Sequence, residues 1–262
     1  METAFEKQTF LKKLRSMLKV DFIRMFTMPL VYIMAGVSFA LPILILVMTS
    51  FMGGEADPAT GAEAMQGFTN AWQSIGSVSG SAMGMDLTGM CNINMLYFLV
   101  AVLVCVFVAD DFRSGYAKNL FTVRSKKFDY VFSKTLVTFV GAVIMFVMYF
   151  IGAMIGGAIA GLPFTMEGFN AGGIAACMFS KIFIILIFVS IALILSVAAK
   201  QKLWISILGS FAAGMLLFMT IPMMTPLNST FLNVIMTFAG GALFAVGLGA
   251  ISNVILNKTS LV

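Results

Sequence analysis

The residues with the most capacity for chemistry crowd into one stretch between two apolar runs. It reads Asp110, Asp111, Phe112, Arg113, Ser114, Gly115, Tyr116, Ala117, Lys118, Asn119, Leu120 and Phe121, then Arg124, Ser125, Lys126, Lys127, Phe128, Asp129, Tyr130, Ser133 and Lys134. Two carboxylates at a helix start offset the amide dipole. From there Phe112, Tyr116 and Leu120 fall at i, i+4 and i+8, on one face, while Arg113 and Lys118 take others. The spacing predicts a short helix carrying an aromatic ridge, suited to docking on a partner rather than to making or breaking bonds. The alternative is a solvated positive-inside loop, which the charges alone would satisfy.

Bond-making chemistry is hard to assemble elsewhere. The sequence has no histidine, which removes HExxH zinc sites and Ser-His or Cys-His catalysis. It has no GxxxxGK[ST] loop and no pair of aspartates inside an apolar run, so neither a P-loop nucleotide site nor an aspartyl-protease dyad is available. No metal or cofactor is expected on this chain. Cys91, Cys105 and Cys177 make no CxxC pair and read as packing or lipid-facing thiols, with a disulfide between Cys91 and Cys177 left open. Lys181 is the one ionisable residue read as lying inside a span, where it would snorkel outward. Ion-coupled carriers place carboxylates near mid-membrane, and none is found there, which argues against an autonomous pump.

The elements that must position the charged stretch follow from composition. With 60% hydrophobic and 10% charged residues, the chain lacks the charge to cover a soluble surface. Apolar runs longer than about 18 residues recur along its length, the bilayer threshold. The expected fold is all-α and polytopic, with about six spans near 29–52, 89–109, 130–158, 174–198, 203–224 and 231–256. No cleavable signal peptide is expected, because the first apolar run follows a long charged segment and is too long for a signal core. Residues 1–28 precede the spans; within them Leu11, Leu14, Leu18, Phe22 and Met25 share one face, with Lys12, Lys13, Arg15, Lys19 and Arg24 on others, a basic amphipathic helix suited to the membrane interface.

Orientation follows from the basic residues. Of the 16 Lys and Arg residues, only Lys181 falls away from the N-terminal segment, the loop over 110–129 with adjoining Lys134, the 199–202 connection and the tail over 257–262. All these belong on one side of a six-span chain, so both termini are expected in the cytoplasm. The +5 formal charge therefore faces membrane lipid rather than nucleic acid, for no basic stripe with interleaved aromatics forms. The outer loop, 53–88, holds Met65, Phe68, Trp72 and Ile75 at helical spacing; such a helix either caps a translocation path or anchors the loop at the interface. Gly152, Gly156, Gly157 and Gly161 in the third span, and Ala245 and Gly249 in the sixth, are small residues that let helices approach closely. Pro222 and Pro226 should kink or end the fifth span.

The order of residues in the charged stretch resembles the coupling-helix region of ABC-2 type transporter permeases, most of all the small Firmicute-type permeases with a separate ATPase. The resemblance covers nearly the whole chain: a basic elbow helix, six spans, a long first outer loop and the coupling loop in its place. The family's usual pattern has Glu in the acidic position and often Gly-Thr; here Asp110 or Asp111 and Gly115-Tyr116 stand there, a departure associated with the peptide-exporting and lantibiotic-immunity branch. The resemblance implies a half-transporter in a bacterial plasma membrane. Its partners would be a P-loop ATP-binding subunit, which carries the ATP and Mg, and a second permease chain, identical or homologous. By the same resemblance Phe112, Tyr116, Leu120 and Phe121 dock on the ATPase, Asp110, Asp111 and Arg113 make ionic contacts, Gly115 allows close approach, and Lys118 and Asn119 complete the surface. The implied permeant is an amphipathic peptide, such as a phenol-soluble-modulin-like toxin or a lantibiotic. The 22 methionines and 26 phenylalanines fit an adaptable greasy path or simply a lipid-facing surface.

Overall fold

Pro29 lacks an amide hydrogen and disfavours helical backbone at the residue before it, so the chain breaks for one residue at Met28 between two helices. These are α1 (Phe10–Thr27) and α2 (Pro29–Met52). The computed structural model describes residues 10–52, 68–76, 91–123, 127–218 and 221–258, and every regular element among them is helical. After α2 come a 3-10 turn over Ala71–Ser74, a second over Ile93–Met95, then α3 (Leu96–Arg113), α4 (Tyr116–Val123) and α5 (Phe128–Ile159). The chain continues with α6 (Ala171–Ala199), α7 (Leu203–Phe218), α8 (Ile221–Met224) and α9 (Phe231–Lys258).

Among the described residues, five helical stretches are long and apolar enough to cross a membrane: Pro29–Phe51, Ile93–Arg113, Phe128–Ile159, Ala171–Ala199 and Phe231–Lys258. Large apolar side chains point outward from them, including Ile33, Leu44 and Phe51 on α2 and Phe231, Leu243 and Val246 on α9. In water such a surface would aggregate; in lipid it is the solvated face. The chain is a polytopic helical membrane protein. Of the helix expected over 203–224, the described residues form α7 (Leu203–Phe218) and α8 (Ile221–Met224), and 219 and 220 lie outside them. At 1.5 Å per residue α7 alone spans about 24 Å, short of the ~30 Å hydrocarbon core.

Helix α3 is the centre of the bundle. Its Val100, Val104, Cys105 and Val108 are wholly buried, and it touches α2, α5, α6 and α7. The closest helix pairs are α2 with α5 and α6 with α9, and small residues explain both. A Cβ on Gly152 would lie 2.1 Å from the Phe39 carbonyl oxygen, and one on Gly156 would lie 2.8 Å from Ile43 Cα. Across the other pair, a Cβ on Gly241 would meet the Phe183 carbonyl oxygen at 2.6 Å. Backbones this near gain dispersion contacts that lipid cannot match.

Three of the expected packing positions behave differently. Gly161 has φ +69° with nothing near its absent side chain, and Leu162 N donates to the Gly157 carbonyl at 2.9 Å. It closes α5 in a left-handed cap, where glycine is favoured, and does not pack a helix. Gly249 is buried, yet a Cβ there would reach Val131 only at 3.7 Å, and Ala245 is half-buried. Gly241, which the sequence reading passed over, does the close packing on α9.

The segment over 68–76 lies against the bundle end opposite α4. Phe68, Ala71, Ile75 and Gly76 are buried, and a Cβ on Gly157 of α5 would come within 2.7 Å of Ala71 Cβ. Asn70 caps the turn by accepting from Trp72 N, and Ala71 N donates to the Pro163 carbonyl at 3.1 Å. Met65 and residues 53–67 and 77–90 lie outside the described residues.

Substituting Gly152→Ala should force α2 and α5 apart and lower the thermal midpoint of the detergent-solubilised protein, an overpacking cost of about 1–3 kcal/mol. Gly240→Ala, at a helical glycine with nothing within 4 Å, should leave the midpoint unchanged or raise it. Equal losses from both would disprove the close-approach account.

Candidate site where α1, α3 and α5 meet beneath α4

The charged stretch takes a shape that its spacing does not show. Asp110, Asp111 and Phe112 form the last turn of α3 rather than the start of the short helix. The chain then bends at Ser114 and Gly115, where Gly115 has φ +75°, a backbone that glycine adopts readily. Helix α4 starts only at Tyr116. Phe112 therefore does not share a helix with Tyr116 and Leu120, and the predicted three-residue ridge is divided between two elements.

A carboxylate pair at a helix C-terminus is repelled by the dipole, so other charges must hold it. Arg24 of α1 supplies one: Nη1 lies 2.5 Å from Asp111 Oδ1 and Nη2 lies 3.3 Å from Asp110 Oδ2. Lys134 of α5 supplies the other, its Nζ 2.8 Å from Asp111 Oδ2 and 2.9 Å from Asp21 Oδ1 of α1. Asp21, Asp111 and Lys134 have fully buried side chains. The remaining acceptor capacity is filled by hydroxyls: Ser133 donates to Asp21 Oδ2 at 2.5 Å and Tyr130 to Asp111 Oδ2 at 2.8 Å. Aromatic faces complete the shell. The Arg24 guanidinium stacks 3.9 Å above the Tyr116 ring, and Lys134 Nζ sits 3.9 Å from the Phe107 ring centre.

Apart from Asp110, which is half-exposed to solvent, the cluster is balanced electrically. Asp21, Asp111, Arg24 and Lys134 sum to zero charge, which is what burial in a low-dielectric setting requires. Burial alone would lower the Arg24 pKa, but the adjacent Asp111 carboxylate outweighs it and holds the guanidinium above its ordinary value. Burial first, and then Asp21 and Asp111, push the Tyr116 phenol above its ordinary value. Tyr116 thus stays a neutral ring under the cation.

Further contacts bind this layer to the rest of the same bundle end. Arg113 Nη2 donates to the Gln201 carbonyl and Gln201 Nε2 to the Phe112 carbonyl, both at 3.3 Å, which ties α3 to the turn between α6 and α7. Lys127 Nζ donates to the Leu256 carbonyl of α9 at 2.6 Å. Phe121 meets Tyr130 edge to face, with ring centres 5.2 Å apart.

This geometry sorts the sequence-derived residues into two groups. Asp111 and Phe112 are buried, and Asp111 is fully engaged within the chain, so neither is presented for an outside partner. Tyr116, Leu120 and Phe121 are half-buried, with Leu120 and Phe121 packed on the core. Lys118, Asn119, Ser114 and Arg113 are exposed, and Asp110 is half-exposed beside Arg24. The surface that α4 presents is polar and basic, not an aromatic ridge. Asp21 went unremarked in the sequence although it is the one acidic residue within α1; an acid amid basic residues was the available signal. Lys134 is likewise a second ionisable residue inside an apolar span, buried and paired, where only Lys181 had been counted.

Lys181 itself departs further from expectation. It does not snorkel: its relative exposure is 0%, and its Nζ donates to Asn94 Oδ1 at 2.7 Å. The three cysteines are free thiols, with Cys105 and Cys177 buried.

Lys134→Met leaves two buried carboxylates facing one arginine, and it should destabilise the folded protein by about 3–5 kcal/mol in detergent melting experiments. Adding Asp21→Asn to that variant should recover more than half of the loss. A Lys134→Met protein that melts like wild type would show that the cluster holds nothing together.

No family model, curated protein or solved structure matches the chain, and so its functional reading must stand on the arrangement of these buried charges and on the resemblance of residue order.

Proposed function

We propose that the chain is the membrane-spanning permease subunit of an ATP-binding-cassette exporter of the ABC-2 type. It sits in a bacterial cell membrane with both termini in the cytoplasm and moves an amphipathic peptide with work supplied by a separate P-loop ATPase. The observation that carries this reading is the buried ion cluster joining α1, α3 and α5 under α4. A solvated loop needs no such cluster, because exposed charges are satisfied by water. A helix that must pass force into spans does need a stiff seat.

Orientation and path support the same reading. Among the described residues, Arg113, Lys118, Lys127, Lys200, Lys202 and Lys258 lie at the α4 end of the bundle, the end that faces an anionic inner leaflet under the positive-inside rule. Helix α6 finishes at this end and so does α9, joined there through Gln201 and Lys127. The chain between them must therefore travel to the opposite end before α9 begins. Thr225, just after α8, accepts from Cys177 in the second turn of α6, far from the α4 end. On this reading α7 and α8 together make the fifth of six crossings, with Pro222 and Pro226 toward its outer end. Two such chains would form the path along a shared interface, and closure of two ATPases would swing the spans as rigid bodies.

Because the α4 surface is basic, the ATPase groove that receives it must be acidic. Charge reversal by Arg113→Glu with Lys118→Glu should reduce co-purification with the partner ATPase at least tenfold while changing stability by only about 0.5 kcal/mol. Undiminished binding would refute the assignment of α4 as the coupling helix.

Buried Lys181 favours a second reading, a carrier driven by a gradient, since a membrane-embedded titratable group is the usual device for coupling to ions. That reading requires uphill uptake into liposomes holding this chain alone; the exporter reading requires none without ATPase.

A further inference from the structure

The second buried lysine contrasts with the first. Lys134 is met by two carboxylates, whereas Lys181 meets none among the described residues. Its sole hydrogen-bond acceptor among the described residues is the amide oxygen of Asn94, which spends one of the three ammonium N–H groups. The bonded amide adds a donor rather than an acceptor. Asn94 is fully buried and its Nδ2 has no partner. Tyr97 uses its hydroxyl on the Lys181 carbonyl at 3.2 Å, which fixes α3 against α6 but leaves the ammonium untouched. The hydroxyls of Ser180 and Tyr149 are also buried without a partner.

Depth puts Lys181 and Tyr149 at one level of the bundle. Lys181 lies ten residues into α6 and Tyr149 ten residues before the end of α5, each about 15 Å along its helix at 1.5 Å per residue. Asn94, in the turn that leads into α3, reaches the same level through its bond to Lys181. One turn above, toward the outer end, Cys177 meets the buried segment 68–76: a Cβ on Gly76 would stand 3.5 Å from Cys177 Sγ and 3.4 Å from the Thr225 carbonyl oxygen. Gly76, at the end of the segment 68–76, thus packs on α6 one turn above Lys181, so this segment borders the site on its outer side.

Buried polar groups are nearly always partnered, and an uncompensated buried cation is costlier than any neutral orphan. An ammonium with an orphaned amide N–H beside it needs an anionic acceptor. We propose that Lys181 and Asn94 form a carboxylate-binding site in the outer half of the membrane domain, which receives the carboxylate of the transported peptide on its way out. The assignment rests on the exporter reading for the identity of the ligand, but the anion site itself rests on Lys181 and Asn94. Lys181 supplies the charge and Asn94 Nδ2 the second donor, and the segment 68–76 must shift to release the peptide.

Trp72 lies in the covering turn, so its fluorescence reports on the site once the other tryptophan is removed by Trp204→Phe. The purified full-length chain, in lipid nanodiscs, is titrated with one amphipathic helical peptide made as the free C-terminal acid and as the C-terminal amide. The acid should bind at least tenfold more tightly. Lys181→Met should abolish that preference, and Lys181→Arg should retain it. Asn94→Asp should abolish it too, by placing an internal carboxylate on an intact lysine, which separates loss of the site from loss of folding. Equal binding of acid and amide, no binding of either, or an undiminished preference in Asn94→Asp would overturn the proposal. If the preference holds but the chain reconstituted with its ATPase shows no ATP-dependent peptide uptake, the anion site stands and the exporter reading falls.

Discussion

An ammonium ion taken out of water into a helix bundle must recover several kcal/mol of lost hydration from its surroundings, and Lys134 does so through two aspartates, Asp21 and Asp111, at 2.9 and 2.8 Å. At such separations in a medium of low dielectric the attraction is large, but only while the geometry holds. Arg24 and the hydroxyls of Tyr130 and Ser133 then satisfy what the carboxylates have left. The consequence is mechanical. The helix lying before the first span, the end of α3 and the start of α5 share one set of charges, so none moves alone without exposing an unpaired ion to an apolar interior. Helix α4 rests on this set through Tyr116, which stacks under Arg24.

Away from that end, the bundle is held by proximity rather than by charge. Lipid offers spans no hydrophobic reason to associate, so backbone approach at small residues takes over. Gly152 and Gly156 seat α5 on α2, and Gly241 seats α9 on α6. Helix α3, buried along most of its length, joins the two pairs.

The composition of the chain made its class legible, and the runs of apolar residues located the long helices to within a few positions. The small residues of α5 were legible too, for spacing of four along a helix is a geometric signal. The interior of the charged stretch was not. Periodicity treats Asp110 through Phe121 as one helix, and only the tertiary partners Arg24 and Lys134 reveal why its first three residues end α3 instead. Asp21 was hidden for a related reason: its value lies in a partner more than a hundred residues away, and its one local mark is that it is an acid amid basic residues. Lys181 was misread because snorkelling is the sound expectation for a lysine on a lone helix; neighbours on α3 and in the segment 68–76 enclose it here. Gly161 shows the limit of a small-residue motif, since a glycine at a helix end serves a turn as readily as an interface.

The two buried lysines sit on helices that share an unbroken connection. Helix α5 carries Lys134 near its first turn and Gly157 near its last, about 35 Å apart at 1.5 Å per residue. At Gly157 there is no slack, because Ala71 of the covering segment already occupies the space a Cβ would need. A displacement of α5 set at the α4 end must therefore be felt by the turn over Ala71–Ser74, in the segment whose Gly76 packs one turn above Lys181. A packed interior passes such a shift on as a rigid body rather than absorbing it. The ion cluster at one end and the covered cation near the other are then two ends of one lever, and Lys181, which meets no carboxylate among the described residues, is what makes the position of its cover matter.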